Sequence, residues 1–186
     1  VSMHQDDMQR RQIQQGDIVK LSNKRGNLNI RVQQSEEVKP TEMFIPMHWG
    51  SQFMSGLGVN ALMPPNVDAT SKQPELKHAA VKVEKLDLPW QMTLMRSCRD
   101  LNLIAEIRKL LPQFDYATCG LYGRESGMVV LRAANAQAPS ADLIQRIDAL
   151  CGLADDAPML KFDDAKRGIS KRILVENGQV SCVRLI

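Results

Sequence analysis

Short runs of alternating apolar and polar residues fill the first half of the chain, and apolar residues at helical spacing fill much of the second. After a Gly16-Asp17 turn, residues 18–22 place Val19 and Leu21 on one face. A second turn, Lys24-Arg25-Gly26-Asn27, leads to Leu28, Ile30 and Val32 alternating with Asn29 and Arg31, the period of a half-buried strand. Lys39-Pro40-Thr41-Glu42 suits a turn with proline at its second position. Residues 43–46 form a short apolar strand, and Val81 and Val83 alternate again. No period holds over 47–78, where Gly50, Gly56, Gly58 and Pro64-Pro65 interrupt the chain. A loop of about 30 residues inside a domain is uncommon and usually functional. Short strands around one long loop predict a small β-barrel over 1–86.

The character changes at 87–186. Residues 90–95 suit a strand. Asp100 can cap a helix carrying Leu103, Ile104, Ile107, Leu110 and Leu111, which Pro112 ends. Strands over 116–122 and 128–134 flank a loop at 123–127. Ser140 can cap a second helix, with Asp142 in its first turn, Leu143, Ile144, Ile147, Leu150 and Cys151 on its apolar face, and Gly152 at its C-terminal cap. Asn177-Gly178 marks a hairpin, whose two-residue loop pairs Val175 with Val180 and Ile173 with Cys182. Strand–helix–strand–strand–helix–strand is the order of a ferredoxin-like α+β unit, here extended by that hairpin.

Composition narrows the class. With 44% hydrophobic residues among 186, the chain can bury a core and is not of the disordered kind. Its net charge of +3 is dispersed and aromatics make up 4%, which argues against a nucleic-acid partner. No apolar run nears the roughly 18 residues of a membrane helix. Cys98, Cys119, Cys151 and Cys182 are too scattered for a zinc ribbon or an iron–sulfur run, and are expected to be reduced, buried thiols. The chain opens on Val1 and stops inside an apolar run, so it is expected to be a piece of a longer polypeptide.

Three segments carry a family resemblance. They are Met3-His4-Gln5-Asp6-Asp7 with Gly16-Asp17-Ile18-Val19 and Arg25-Gly26; Phe44-Ile45-Pro46-Met47-His48-Trp49-Gly50; and Asn60-Ala61-Leu62 with Asp68, Ser71, Pro74-Glu75 and Lys77, closing on Ala80-Val81-Lys82-Val83. In this order and spacing they resemble the last domain of the bis-molybdopterin oxidoreductases, and His-Trp-Gly looks most like bacterial assimilatory nitrate reductases. Gly120-Leu121-Tyr122-Gly123-Arg124 and Lys166-Arg167-Gly168 resemble the extension that follows that domain. The chain departs from the family at Met63 and Ala69, where threonine and proline are usual, and the family's Thr-Gly-Arg loop is not in it.

The resemblance implies a mainly β double-psi β-barrel domain at 1–86, followed by the small α+β, ferredoxin-like domain that the element order predicts at 87–186. It implies a cytoplasmic enzyme reducing nitrate to nitrite at molybdenum held by two molybdopterin guanine dinucleotides. A [4Fe–4S] cluster is expected in the N-terminal remainder of the polypeptide, and an electron-donor protein or subunit is a possible partner. By itself this region is expected to be inactive, with no catalytic or metal-ligating residue. The cofactor contacts implied are Asn60, Lys77 and His48. An Asn amide offers the donors and acceptor that a pterin edge requires, though Asn60 also reads as a turn residue. An ammonium suits pterin or phosphate, though most lysines are solvated. His48 either orients the pterin and carries a proton, or packs structurally; Trp49 reads as a packing residue and Asp68 and Ser71 as braces. His4 and His78 read as surface residues. Two alternatives stay open: the same domain of a formate dehydrogenase-type enzyme, and a non-catalytic double-psi barrel interaction module.

Overall fold

The computed structural model describes residues 1–186 except Trp49, Leu76, Arg99, Glu125, Ser126 and Asp155. The chain is mostly β and divides into two units, one of Val1–Gln52 with Gly56–Asp87 and one of Phe53–Ser55 with Leu88–Ile186.

In the first unit, β1 (Ser2–Met3) precedes α1 (Gln5–Arg10), then come β2 (Ile18–Ser22), β3 (Asn27–Arg31), β4 (Gln33–Gln34), β5 (Met43–Phe44) and β6 (Lys82–Lys85). β2 lies between antiparallel β3 and β6, pairing Val19 with Ile30 and Lys85, and Leu21 with Leu28 and Val83. Val19 and Leu21 are wholly buried, as their alternation requires. Each such side chain contributes about 1.5–3 kcal/mol through burial. β1 lies between parallel β4 and antiparallel β5, with Met3 buried. No closed barrel is found: among the described residues the strands form two three-stranded sheets. Closure needs each edge strand to bond the next, and β1, β4 and β5 offer two residues apiece.

α1 was not visible in the apolar pattern. It is six residues long and polar at most positions, and its signal lies at its start: the His4 imidazole accepts a hydrogen bond from the Asp6 N–H at 3.2 Å, and Asp6 and Asp7 occupy the first turn. His4 is thus a half-buried cap, 3.5 Å from a Glu36 carboxylate oxygen, rather than a surface residue.

The second unit is a single antiparallel sheet under two helices. Its elements are β7 (Trp90–Ser97), α2 (Leu101–Leu110), β8 (Tyr116–Tyr122), β9 (Met128–Asn135), α3 (Ala141–Leu150), β10 (Met159–Asp164), β11 (Ile169–Glu176) and β12 (Gln179–Leu185). The sheet order is β10-β11-β12-β7-β9-β8. The place beside β7 is taken by β12, the third strand after α3, while β10 lies at the edge. Asp100 and Ser140 cap α2 and α3 by accepting from the Asn102 and Leu143 N–H groups at 2.8 and 3.3 Å. Gly152, at φ +74°, follows α3. Ile104, Ile107 and Leu110 of α2 and Leu143 and Ile147 of α3 pack with Met92, Leu94, Val129, Leu131 and Ala133 of the sheet.

Phe53–Ser55 extends this sheet beyond β8. Met54 bridges Thr118, the Ser55 N–H donates to the Ala117 carbonyl at 2.8 Å, and the Cys119 N–H donates to the Phe53 carbonyl at 2.8 Å. The β11–β12 hairpin turns on Asn177 and Gly178, both at positive φ, and pairs Val175 with Val180 as expected. The expected Ile173–Cys182 pair is corrected. Ser181 has no register partner on β11, so Cys182 faces Leu174 and Ile173 faces Val183. All four cysteines are free thiols, with Cys119, Cys151 and Cys182 buried and Cys98 half-buried, less buried than expected.

Candidate functional site

The long loop of the first unit is held by its own polar groups. Gly58 adopts φ 76° and ψ −174°, a region essentially closed to residues with a Cβ, and starts a 3₁₀ turn at Val59–Leu62. Val59 and Leu62 are buried. Asn60, between these two anchors, is left exposed. Further along, the Asp68 carboxylate accepts from the Thr70 N–H at 3.0 Å and from the Ser71 N–H and hydroxyl at 2.6 and 2.9 Å. These bonds, the Ser71 N–H foremost, hold the Asp68 pKa below the usual carboxylate range. Val67 bridges Pro74, and the Glu75 N–H donates to the Asn66 carbonyl at 2.9 Å. Asp68 and Ser71 are braces, and the chain they brace runs on to Lys77, which is exposed.

One turn touches both segments. The Asn23 side chain donates to the Leu62 carbonyl at 2.8 Å and to the Ala80 carbonyl at 3.4 Å, and accepts from the Arg25 and Gly26 N–H groups at 2.9 and 3.3 Å. Gly26 packs so closely that a Cβ there would lie 2.9 Å from the Ala61 carbonyl oxygen. Sequence reasoning named Arg25-Gly26 as part of a motif but missed Asn23. Its only signal was an asparagine ahead of the Lys-Arg-Gly turn.

His48 lies in a turn after β5 and is exposed. Among the described residues, none bonds the Asn60 amide, the Lys77 ammonium or the His48 imidazole. Trp49 lies outside the described residues, so its packing role does too. Exposed His78 matches its expected place at the surface. Among the described residues, no group of three or more His, Cys, Asp or Glu could hold a metal ion.

Residues 1–80 match the family described as the molydopterin dinucleotide binding domain. The chain is 32% identical over 77 residues, 41% of its length, to a nitrate reductase of Klebsiella oxytoca, of which this covers 9%. It is 30% identical over 86 residues, 46% of its length, to the F420-dependent formate dehydrogenase subunit alpha of Methanocaldococcus jannaschii, covering 12% of that protein. It is 37% identical over 60 residues, 32% of its length, to a nitrate reductase of Synechocystis sp., covering 8%. The chain thus spans only a small part of these relatives. No solved structure matches it. No described helix is long and apolar enough to cross a membrane.

The exposed groups of the first unit fit the chemistry of a molydopterin dinucleotide. An unbonded amide can both donate to and accept from a pterin edge, and an unbonded ammonium can meet pterin oxygen or phosphate.

Proposed function

We propose that this chain is a cofactor-binding region near the C-terminal end of a molybdenum nitrate reductase. Its first unit supplies Asn60, Lys77 and His48 to one molybdopterin guanine dinucleotide, and its two sheets form part of a double-psi β-barrel. One observation carries the reading: on a loop braced by Asp68 and Ser71, Asn60 and Lys77 are exposed and free of partners among the described residues. Two nitrate reductases among the relatives favour nitrate over other substrates.

The molybdenum centre, when bound, supplies the two-electron chemistry that takes nitrate to nitrite. The chain's own task is binding and orientation. Asn60 fixes the pterin edge by donating and accepting, Lys77 offsets negative charge, and His48 donates or accepts at the loop's entrance. The second unit, a ferredoxin-like domain in this reading, leaves the chemistry to the remainder of the polypeptide. That remainder holds the [4Fe–4S] cluster, and the enzyme works in the cytoplasm on electrons from a donor protein.

The test uses the complete polypeptide of the native reading frame. Purified protein is expected to contain molybdenum, iron and pterin and to reduce nitrate with a viologen donor, while residues 1–186 alone give no turnover. Asn60→Ala and Lys77→Ala should each speed pterin loss roughly tenfold, the effect of one charge-assisted or well-placed polar contact. Protein free of molybdenum and pterin would sink the proposal in favour of an interaction module. A second reading rests on the formate dehydrogenase relative: if formate is oxidised and nitrate untouched, that substrate replaces nitrate.

A further inference from the structure

Asn23 sits after β2, in the turn to β3, and its single planar amide meets three stretches of backbone. Its carbonyl oxygen accepts from the Arg25 and Gly26 N–H groups at 2.9 and 3.3 Å, while the Asn23 N–H closes the turn onto the Gly26 carbonyl at 3.0 Å. Its NH2 group donates to the Leu62 carbonyl at 2.8 Å and to the Ala80 carbonyl at 3.4 Å. Leu62 ends the 3₁₀ turn that carries Asn60. Ala80 lies three residues beyond Lys77 and two before β6.

Gly26 adds an independent constraint. It is not among the glycines at positive φ, so an alanine could adopt its backbone. Space is what excludes a side chain: the added Cβ would lie 2.9 Å from the Ala61 carbonyl oxygen and 3.2 Å from the Ala61 Cβ. The turn that Asn23 organises is therefore pressed against the residue next to Asn60.

We propose that Asn23 is the positioning residue of the cofactor site, fixing the Asn60 turn and the stretch after Lys77 relative to each other through one side-chain amide. This rests on the function proposed above. Asn23 itself need not touch the cofactor. Its two donors are spent on protein carbonyls, and a rigid planar amide gives them one relative geometry. That geometry sets the separation of an amide and a cation that must meet one ligand at once, which is how supporting groups raise the precision of a binding site.

The test separates the amide's two ends. Asn23→Asp keeps an acceptor for Arg25 and Gly26 but sets a carboxylate oxygen against the Leu62 and Ala80 carbonyls. In the holoenzyme, hydrogen exchange at Ala61 and Met63, whose N–H groups close the 3₁₀ turn, and at Lys82 should speed by roughly tenfold. Exchange within β3 should hold. Bound pterin, read by the fluorescence of its oxidised form, should dissociate roughly tenfold faster, as expected for the loss of one or two polar contacts. Gly26→Ala, which leaves the amide intact and pushes the same turn, should also speed pterin release. Asn27→Asp, which adds the same charge at an exposed position nearby, should change neither readout.

Unchanged exchange at Ala61, Met63 and Lys82 in Asn23→Asp overturns the proposal. So does faster exchange with wild-type pterin release, because the tied segments would then not be the ligand's. A holoenzyme lacking pterin instead sinks the functional reading on which the proposal depends.

Discussion

Asp7 shows how far a single side chain can organise its surroundings. It is 4% exposed, yet its carboxylate accepts from the Thr41 N–H and from Arg11 Nη1 at 3.0 Å, with Arg10 at 4.0 Å. The Thr41 N–H, aided by Arg11 and Arg10, holds its pKa below the usual carboxylate range against the opposing effect of burial. A lowered folded-state pKa gives stability that is complete above the unfolded value and is lost as pH falls through the folded one. Asp7→Asn should therefore destabilise the first unit by about 1–3 kcal/mol at pH 7. The deficit should shrink in urea titrations at progressively lower pH, and a deficit unchanged at pH 3 would contradict the assignment. Thr41 explains why the sequence hid this contact. The expected turn is there, with the Glu42 N–H donating to the Lys39 carbonyl at 3.1 Å, but Thr41 sits at φ 72° where glycine is the usual occupant. Only the partner 34 residues away, which no local pattern reveals, accounts for a β-branched residue there. Asn23 was hidden for the same reason, since the carbonyls it holds lie 39 and 57 residues downstream. Asn60 and Lys77 are proposed on a resemblance that spans their spacing, and the structure adds that both are exposed.

Elements with strong local signals were read correctly, and those set by distant pairing were not. The α2 and α3 caps, the β2 and β3 alternation and the Asn177-Gly178 turn each depend on neighbours in sequence. The bulge at Ser181 does not, because it answers to the packing of β12 between β11 and β7. Skipping Ser181 brings Cys182 opposite Leu174 on one side and Arg96 on the other, and it sets the face that Arg184 presents. Arg184 is 2% exposed, and its Nε lies 2.8 Å from a carboxylate oxygen of Asp148 on α3. A one-residue slip would turn every later side chain to the opposite face. Deleting Ser181 removes a residue with no register partner on β11, together with its hydroxyl's bonds to Arg96 and the Leu174 carbonyl, and leaves both the Leu174–Cys182 pair and the Arg184–Asp148 contact in register. Deleting Val183 instead moves Arg184 to the other face and strips Asp148 of its guanidinium partner, at a cost of about 3–5 kcal/mol. Thermal melts should show the Ser181 deletion losing far less stability than the Val183 deletion. Equal losses would mean that the bulge, rather than the face it sets, is what matters.

At the scale of the whole molecule, the two units carry different titrating groups. The buried carboxylate with a depressed pKa, Asp7, is in the first unit, where Asp17 is also depressed, its bonds with Lys85 and the Gln14 N–H outweighing burial. In the second unit the depressed carboxylates Asp163 and Glu176 lie at the surface, where solvent weakens their effect. All four cysteines belong to the second unit. Burial pushes the Cys119 thiol up to about 11, against a smaller opposing effect of Arg108, and Cys151 is raised by its hydrogen bond with Cys182 and by burial, while that same bond lowers Cys182. A raised folded-state pKa gives stability that is complete below the unfolded value of 9.0 and is lost as pH climbs through the folded value. Acid should thus loosen the first unit as Asp7 and Asp17 take up protons, and the second should lose stability from pH 9 toward 11. Alkylation with mass mapping provides the check, since thiolates react and buried thiols do not. At pH 8 half-buried Cys98 should be modified first, and Cys119, Cys151 and Cys182 only on unfolding. At pH 10.5 those three should react many times faster than the change in reagent chemistry alone predicts, because the second unit then opens more often. Protection of all three at pH 10.5 equal to that at pH 8 would show that thiol ionisation is not coupled to the second unit's stability.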